Sequence, residues 1–518
     1  MIQGFFNLGR RVMGIRTGAE YIASLKDNRR IFINGGEVND VTDHPAFSGI
    51  VQEVARHYDR FHEPEKQAIY TFSSPADGAP VSNSYLFAQT AGEMAQRVRG
   101  ETERKADTYG MMGRMPDYMN AFVTDLAAIG HVLGHQEPRF ADNAQRYYEY
   151  ARDSDICFTH TLVDPKKDYT ASLGEHRSVR IVEQNSAGIV VSGARMLSTL
   201  APVSNEIFVG AFMPRMPGEE DYAVSFAIPV ATEGLKFIAR ESYAQGRSLY
   251  DRPLTERFDE GDAIAMFNKV LVPWERVFAA GDLLAHNLMM PSYPGFLVLQ
   301  ANIRGRAKLR FMTGLVIKMA NALGRNKQAR YQEMIGELLS FCELADGLIS
   351  ASADEVLLNS IAAKAKNDDP NFQLANEPEK ALFSDAANGT VAMSTLRAFF
   401  PMVNTKLNEV VRLIGSSNLV MTPTEADFAN PELAAELENY IAGPDMTAKE
   451  RVCIMKLGWD ALATEFGGRQ EIYEIFYAGD PAMARMLYYS TPRRLEFEAQ
   501  VDELLAESAV LQEQADRG

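Results

Sequence analysis

Cysteine is scarce. Cys157, Cys342 and Cys453 are the only three among 518 residues, and they lie far apart. They form no metal-ligand pattern, no disulfide framework is expected, and a reducing cytoplasm is the simplest setting. Basic charge is also short: 52 Lys and Arg face 69 Asp and Glu, a net charge of −17. That balance argues against a nucleic-acid partner, which needs a basic surface. No apolar run approaches the roughly 20 residues of a membrane span. Met1 to Gly14 lacks an apolar core followed by a cleavage site, so no signal peptide is expected. There is no P-loop, and no G-x-G-x-x-G opens a strand–turn–helix, so a Rossmann site is not supported. His131 and His135 have the four-residue spacing of two metal ligands. No H-E-x-x-H frame surrounds them, and Gly130 and Gly134 weaken a helix there, so no metal is expected.

What is present is an ordinary globular composition, 46% hydrophobic and 23% charged, in a chain long enough for roughly two to four domains. Helix signals dominate residues 1–155. Thr17 with Glu20 forms a capping pattern, Pro45 and Pro116 sit at helix starts, and Gln89 to Thr108 reads as one charged helix. A Gly35-Gly36 turn makes residues 31–38 a small hairpin. From 156 to 285 the period changes to that of strands joined by hairpins, which predicts a small antiparallel barrel or sandwich. From 286 to 518 helices return and are long: Asn302 to Leu323, Tyr331 to Lys366, Glu379 to Ile414, Ala434 to Ala442 and Ala448 to Phe466, with an amphipathic tail from Arg494. The expected class is α+β, mostly α.

Candidate functional residues stand out within this frame. Alternation from Ile156 puts Phe158, His160 and Leu162 on one strand face. A histidine on that apolar face needs a partner or ligand, and taken alone it reads as a core histidine bonded to backbone. Arg114 and Tyr118 lie four apart at a Gly- and Pro-punctuated turn and can face one site; alone they read as a surface arginine beside a half-buried tyrosine. The Pro/Gly loop after Phe212 and Met213 is long enough for a lid, or it is a plain hairpin loop. Gly467-Gly468-Arg469 follows the last long helix as a C-cap would, and it would also let backbone approach a phosphate or a flavin edge.

Together these motifs resemble one family. Thr42-Asp43-His44-Pro45-Ala46-Phe47, Met112-Gly113-Arg114-Met115-Pro116-Asp117-Tyr118, His160 with Asp164-Pro165, and residues 187–194 come in its order. So do Arg257-Phe258-Asp259-Glu260 with Asp262-Ala263, Val272-Pro273-Trp274-Glu275-Arg276-Val277, and residues 465–474. The family is the oxygenase component of two-component flavin monooxygenases of the 4-hydroxyphenylacetate 3-monooxygenase type. The resemblance implies an acyl-CoA-dehydrogenase-like fold: helical N-terminal domain, middle β-barrel and C-terminal four-helix bundle. It implies a homotetramer, a dimer of dimers, that receives reduced FAD from a separate flavin reductase and uses O2. A flavin C4a-hydroperoxide would then hydroxylate a phenol ortho to its hydroxyl, giving a catechol.

By the same resemblance Arg114 and Tyr118 stabilise developing negative charge and touch the phenol, while His160 binds the phenol hydroxyl and moves its proton. FAD would lie against Lys166, Lys167, Asp168 and Tyr169, Thr199, and the turn Phe466, Gly467, Gly468 and Arg469. Phe212 and Met213, in the variable lid, join the substrate-binding set. The family commonly has Asp-Arg-Ser where this chain has Asp168-Tyr169-Thr170, so Lys166 or Lys167 would have to replace a lost arginine. An acyl-CoA dehydrogenase shares the fold but needs a carboxylate base in the bundle, which the sequence neither shows nor excludes. A 4-hydroxybutyryl-CoA dehydratase needs iron–sulfur ligands that the three cysteines do not supply. A non-enzymatic helical scaffold leaves Arg114, Tyr118 and His160 unexplained. As substrate, a phenylacetate, tyrosine or tyramine, a carrier-tethered tyrosyl group and a halophenol all stay open.

Overall fold

The computed structural model describes residues 14–165, 168, 170, 172–374, 390–489 and 492–506. Its N-terminal helices begin where local signals say they should. The Thr17 hydroxyl accepts from Glu20 N, and the Glu20 carboxylate accepts from Thr17 N at 2.7 Å, opening Gly18–Ser24. His44 caps Pro45–Arg60, Thr90 caps Ala91–Asp107, and Pro116 opens Pro116–Ala128. That last helix is buried on nearly every side, packed by Pro138–Ser154 and by Phe296–Ala322.

The strands are β1 (Ile31–Ile33), β2 (Gly36–Val38), β3 (Thr71–Ser73), β4 (Pro80–Ser82), β5 (Phe158–Thr161), β6 (Arg180–Gln184), β7 (Gly188–Arg195), β8 (Glu206–Val209), β9 (Val224–Pro229), β10 (Leu235–Ala239), β11 (Ala263–Pro273) and β12 (Val277–Ala280). One sheet runs β2-β1-β10-β11-β7-β6 and another β12-β9-β8-β5, with β3 and β4 as a separate hairpin. Phe226 of β9 meets Phe267 of β11 edge-on, centroids 6.1 Å apart, joining the two main sheets. Most pairings are antiparallel, as the hairpin pattern predicts. Two are parallel: β1 on β10, and β5 on β8 with His160 opposite Phe208. Both β1 and β5 arrive from the helical N-terminal part, so no tight turn fixes their direction. The middle sheet therefore draws β1 and β2 from well before residue 155.

Strand β5 is buried on both faces. On one face Thr159 and Thr161 donate to the Thr199 and Met196 carbonyls at 2.6 and 3.2 Å. On the other, Phe158 and His160 pack against Tyr147 and Phe122 of the N-terminal helices.

In the C-terminal part Phe296–Ala322 and Ala329–Asp368 pack together, with Phe400–Gly415, Ala448–Leu462 and Glu465–Phe476 around them. The first starts earlier than its apolar period because Asp125 accepts from Gly295, Phe296 and Leu297 N, capping its N-terminus. The helix expected over 379–414 lies partly outside the described residues. Its described part starts at Val391 and passes through a π-turn, Thr395–Phe399, just before Pro401, which offers no N–H to the helix. The helix expected over 448–466 is in fact two. Thr464 accepts from Gly467 N at 3.2 Å and starts Glu465–Phe476. Gly467-Gly468 therefore opens a helix; it is not a C-cap. A Cβ on Gly467 would press on the Leu462 backbone. The tail carries Arg493–Ala506, and residues beyond it lie outside the described set. No helix among the described residues is long and apolar enough to cross a membrane.

Candidate active site

The end of β5 and the start of Pro116–Ala128 bring two expected residues together. The Tyr118 hydroxyl lies 3.2 Å from His160 Nε2. Phe122, one turn beyond Tyr118, faces the imidazole with centroids 6.4 Å apart. His160 is 8% exposed, and its Nδ1 has no protein partner. This is not the backbone-bonded core histidine that the isolated strand pattern allows. Burial, and after it the charge of Arg114, hold its pKa well below 6.5, so the imidazole is neutral. Burial raises the Tyr118 pKa more than Arg114 lowers it, so the hydroxyl keeps its proton.

Arg114 completes the group, and it is no surface residue. Its guanidinium lies 4.1 Å from the Tyr118 ring centroid, 4.9 Å from that of Tyr477 and 5.4 Å from that of Tyr473. Nη1 donates to the Tyr473 hydroxyl at 2.7 Å and to Gly113 O at 3.3 Å. Its backbone N donates to Glu260 Oε1 at 2.6 Å. The turn leading to Arg114 needs Gly110: φ is +67°, and a Cβ there would meet the backbone of Arg304 and Lys308.

Beside this group is a cleft of about 920 Å³, counting its open mouth, lined by Tyr118, Leu162, Phe212, Tyr293 and Tyr477 among others. Leu162 follows His160 by two residues on β5's register, which carries the strand face into the cleft. Two wall carboxylates are already engaged: Asp125 as described, and Glu355 accepting from Val391 and Ala392 N. The Tyr293 hydroxyl, by contrast, is buried with no partner. Phe212 stands 43% exposed at the wall; Met213 is equally exposed and does not line the cleft. The loop they begin is pinned, because Arg215 donates to Asp164 at 2.7 Å and its N to Asn287 at 2.8 Å.

The expected cofactor residues divide. Thr199 and Arg469 converge on Asp262. The Thr199 hydroxyl donates to it at 2.6 Å, and Arg469 Nη2 at 2.9 Å, while Arg469 Nη1 donates to Glu260 at 3.0 Å. Burial pushes the Asp262 pKa up, but Arg469, Thr199 and Arg240 together hold it well below the usual carboxylate range. The Arg469 charge is thus already matched by protein carboxylates. Phe466 is buried and Gly467 is packed, whereas a Cβ on Gly468 would meet nothing within 4 Å, so open space reaches the backbone there. Asp168 is exposed and accepts from Thr170 N and Oγ1. Lys166, Lys167 and Tyr169 lie outside the described residues. His131 and His135 do not share a ligand: one bonds Asn367 and the other Asp282. Sequence reading missed Glu260, Tyr293, Tyr473 and Tyr477 as site residues. A signal existed for two of them, since Arg469, Tyr473 and Tyr477 recur at steps of four along one helix and its C-cap.

Family models described as 4-hydroxyphenylacetate 3-hydroxylase N terminal and C terminal match residues 17–279 and 374–506. The chain belongs to the 4-hydroxyphenylacetate 3-hydroxylase family. It is 32% identical over 502 residues to the 4-hydroxyphenylacetate 3-monooxygenase oxygenase component of Geobacillus sp. (strain PA-9), covering 95% of this chain and 97% of the relative. It is 31% identical to the oxygenase component of a Rhodococcus 4-nitrophenol 2-monooxygenase, covering 95% and 92%. Among solved structures, an oxygenase component of 4-hydroxyphenylacetate 3-monooxygenase complexed with FAD and 4-hydroxyphenylacetate superposes with a TM-score of 0.84 at 31% identity, over 96% of this chain and 99% of that one. The fold seen here is that of the 4-hydroxyphenylacetate 3-hydroxylase family, α+β and mostly α.

Proposed function

We propose that this chain is the oxygenase component of a two-component flavin-dependent monooxygenase that converts a phenol into a catechol, adding the new hydroxyl ortho to the existing one. One observation carries the reading: a neutral His160 bonded to Tyr118 at 3.2 Å, with a buried guanidinium 4.1 Å from the Tyr118 ring, and Tyr118 itself lining a cleft. The partnerless His160 Nδ1 and Tyr293 hydroxyl, and the open side of Gly468, fit bound polar ligands.

When bound, reduced FAD supplies activated O2, delivering one oxygen atom as an electrophile. Thr199, Asp168 and the Phe466-Gly467-Gly468-Arg469 stretch, through the backbone left open at Gly468, are the described residues that would hold it. The protein's share is proton handling, charge and exclusion of water. Neutral His160 accepts the phenol proton, which makes the ortho carbon electron-rich. The Tyr118 hydroxyl bridges His160 and the phenol oxygen. Arg114, fixed and cationic, stabilises the phenolate. Phe212, Leu162 and Tyr477 wall the ring from solvent.

A separate flavin reductase supplies the reduced FAD. Exposed Leu339, Leu344, Leu358 and Ile361 along Ala329–Asp368 support assembly through the bundle into a homotetramer, a dimer of dimers. A cytoplasmic setting fits the three unpaired cysteines. The test is anaerobic mixing with reduced FAD, then O2, under a panel of phenylacetates, tyrosine, tyramine, nitro- and halophenols and carrier-tethered tyrosyl groups. At least one catechol is expected; hydrogen peroxide alone from every phenol would overturn the proposal.

A further inference from the structure

We propose that Tyr473 is a positioning residue for this reaction: its hydroxyl holds the Arg114 guanidinium in a cage of tyrosines that fixes the cation without neutralising it. This rests on the reading above that Arg114 faces the reacting phenol.

A buried cation ordinarily meets a carboxylate, since burial without a partner is costly. Several other buried arginines here follow that rule. Arg304 meets Glu474 at 2.6 and 2.7 Å, Arg276 meets Glu206 at 2.7 Å, and Arg469 meets Asp262 and Glu260. Arg114 departs from it, as Arg16 and Arg97 do, and of the three it is the one beside His160. Its guanidinium donates to a neutral hydroxyl and a carbonyl, and three tyrosine rings surround it. Glu260 is close, but Arg114's own backbone N takes one oxygen and Arg469 takes the other. A carboxylate on the guanidinium would cancel the charge that the bound phenolate needs. A hydroxyl leaves it intact.

Tyr473 is itself held firmly. Arg469, one turn before it, lies 4.4 Å from its ring centroid, and Tyr477, one turn after, meets it edge-on at 5.2 Å. Glu474 beside it is tied to Arg304 and Lys308. Space for the hydroxyl is reserved at the other side, because a Cβ on Gly113 would overlap it. Burial raises the Tyr473 pKa well above 10, so the hydroxyl stays neutral.

The test is Tyr473→Phe, which keeps the ring and removes one oxygen, assayed in the full-length enzyme with reduced FAD, O2 and whichever phenol the wild type hydroxylates. Loss of a hydrogen bond to a charged group predicts a fall in kcat of about tenfold or more, with KM moving less than about threefold. The fraction of O2 released as hydrogen peroxide should rise. The acid limb of kcat/KM should move to higher pH, because a displaced Arg114 no longer depresses the His160 pKa; Tyr118 and Arg114 are the ionisable groups facing His160, and Tyr118, Tyr473, Tyr477 and Glu260 those facing Arg114. Gly113→Ala, which displaces the Tyr473 hydroxyl sterically, should reproduce the same split. Wild-type kcat and coupling in Tyr473→Phe would overturn the inference, as would a parallel loss of kcat, FAD binding and thermal midpoint. A wild type that makes no catechol overturns the functional reading and this inference with it; catechol from the wild type with Tyr473→Phe unchanged overturns the inference alone.

Discussion

Replacing His160 by Leu separates a structural histidine from a working one. The imidazole is buried, its Nδ1 has no partner, and Nε2 meets only the Tyr118 hydroxyl. An unsatisfied buried polar atom costs about 1–3 kcal/mol, which Leu removes. Leu also strands the Tyr118 hydroxyl, at a cost of similar size. The two terms nearly cancel, so His160→Leu should unfold within about 1–2 °C of wild type. The double variant His160→Leu/Tyr118→Phe removes both polar partners and should be as stable as wild type or slightly more so. Catechol formation should meanwhile fall at least ~10²-fold, about 2.7 kcal/mol in the barrier, the usual scale of general acid–base help. The assay pairs thermal unfolding with single-turnover product yield. A His160→Leu protein that loses stability heavily, with activity tracking only its folded fraction, would refute the reasoning. So would near-wild-type catechol.

Further outcomes follow from the same geometry. Because burial and Arg114 depress the His160 pKa, its base form is present above that value and is lost only as pH falls through it; kcat/KM should show no His160 limb between about pH 6 and 8. In Arg114→Ala that limb should shift upward, which a pH–rate profile reads directly. Asp262→Asn should lower the thermal midpoint by about 3–5 °C, since it leaves Arg469 with Glu260 as its one carboxylate. Phe212→Ala opens the cleft wall and should raise the kcat/KM ratio of bulky to compact phenols about tenfold in a competition assay.

The order of helices, strands and helices was legible because caps, prolines and the change from a helical to a two-residue period are local. Thr17, Pro45 and Pro116 mark helix starts where the sequence places them. The parallel partners of β1 and β5 were not legible, because they join strands more than forty residues away. The break at Thr464 was hidden because an apolar period runs through it; the lack of room at Gly467 comes from the Leu462 backbone five residues back and exists only once the chain bends there. Arg114, Tyr118 and His160 could be named from motifs and the strand face. Their company could not, since Tyr473 lies 359 residues from Arg114 in sequence and meets it through a helix from another part of the chain. The fate of Arg469 was equally hidden; its charge looked available until Asp262 and Glu260 were seen against it.

The central claim is that a neutral imidazole and an uncancelled guanidinium take a phenol as its anion. A nitrophenol whose anion absorbs visible light tests this directly, bound anaerobically to the enzyme with reduced FAD below the phenol's own pKa. The account predicts that wild type binds the coloured anion and that His160→Leu and Arg114→Ala bind it protonated or weakly. A protonated phenol bound to wild type, or the same anion in all three proteins, would contradict it.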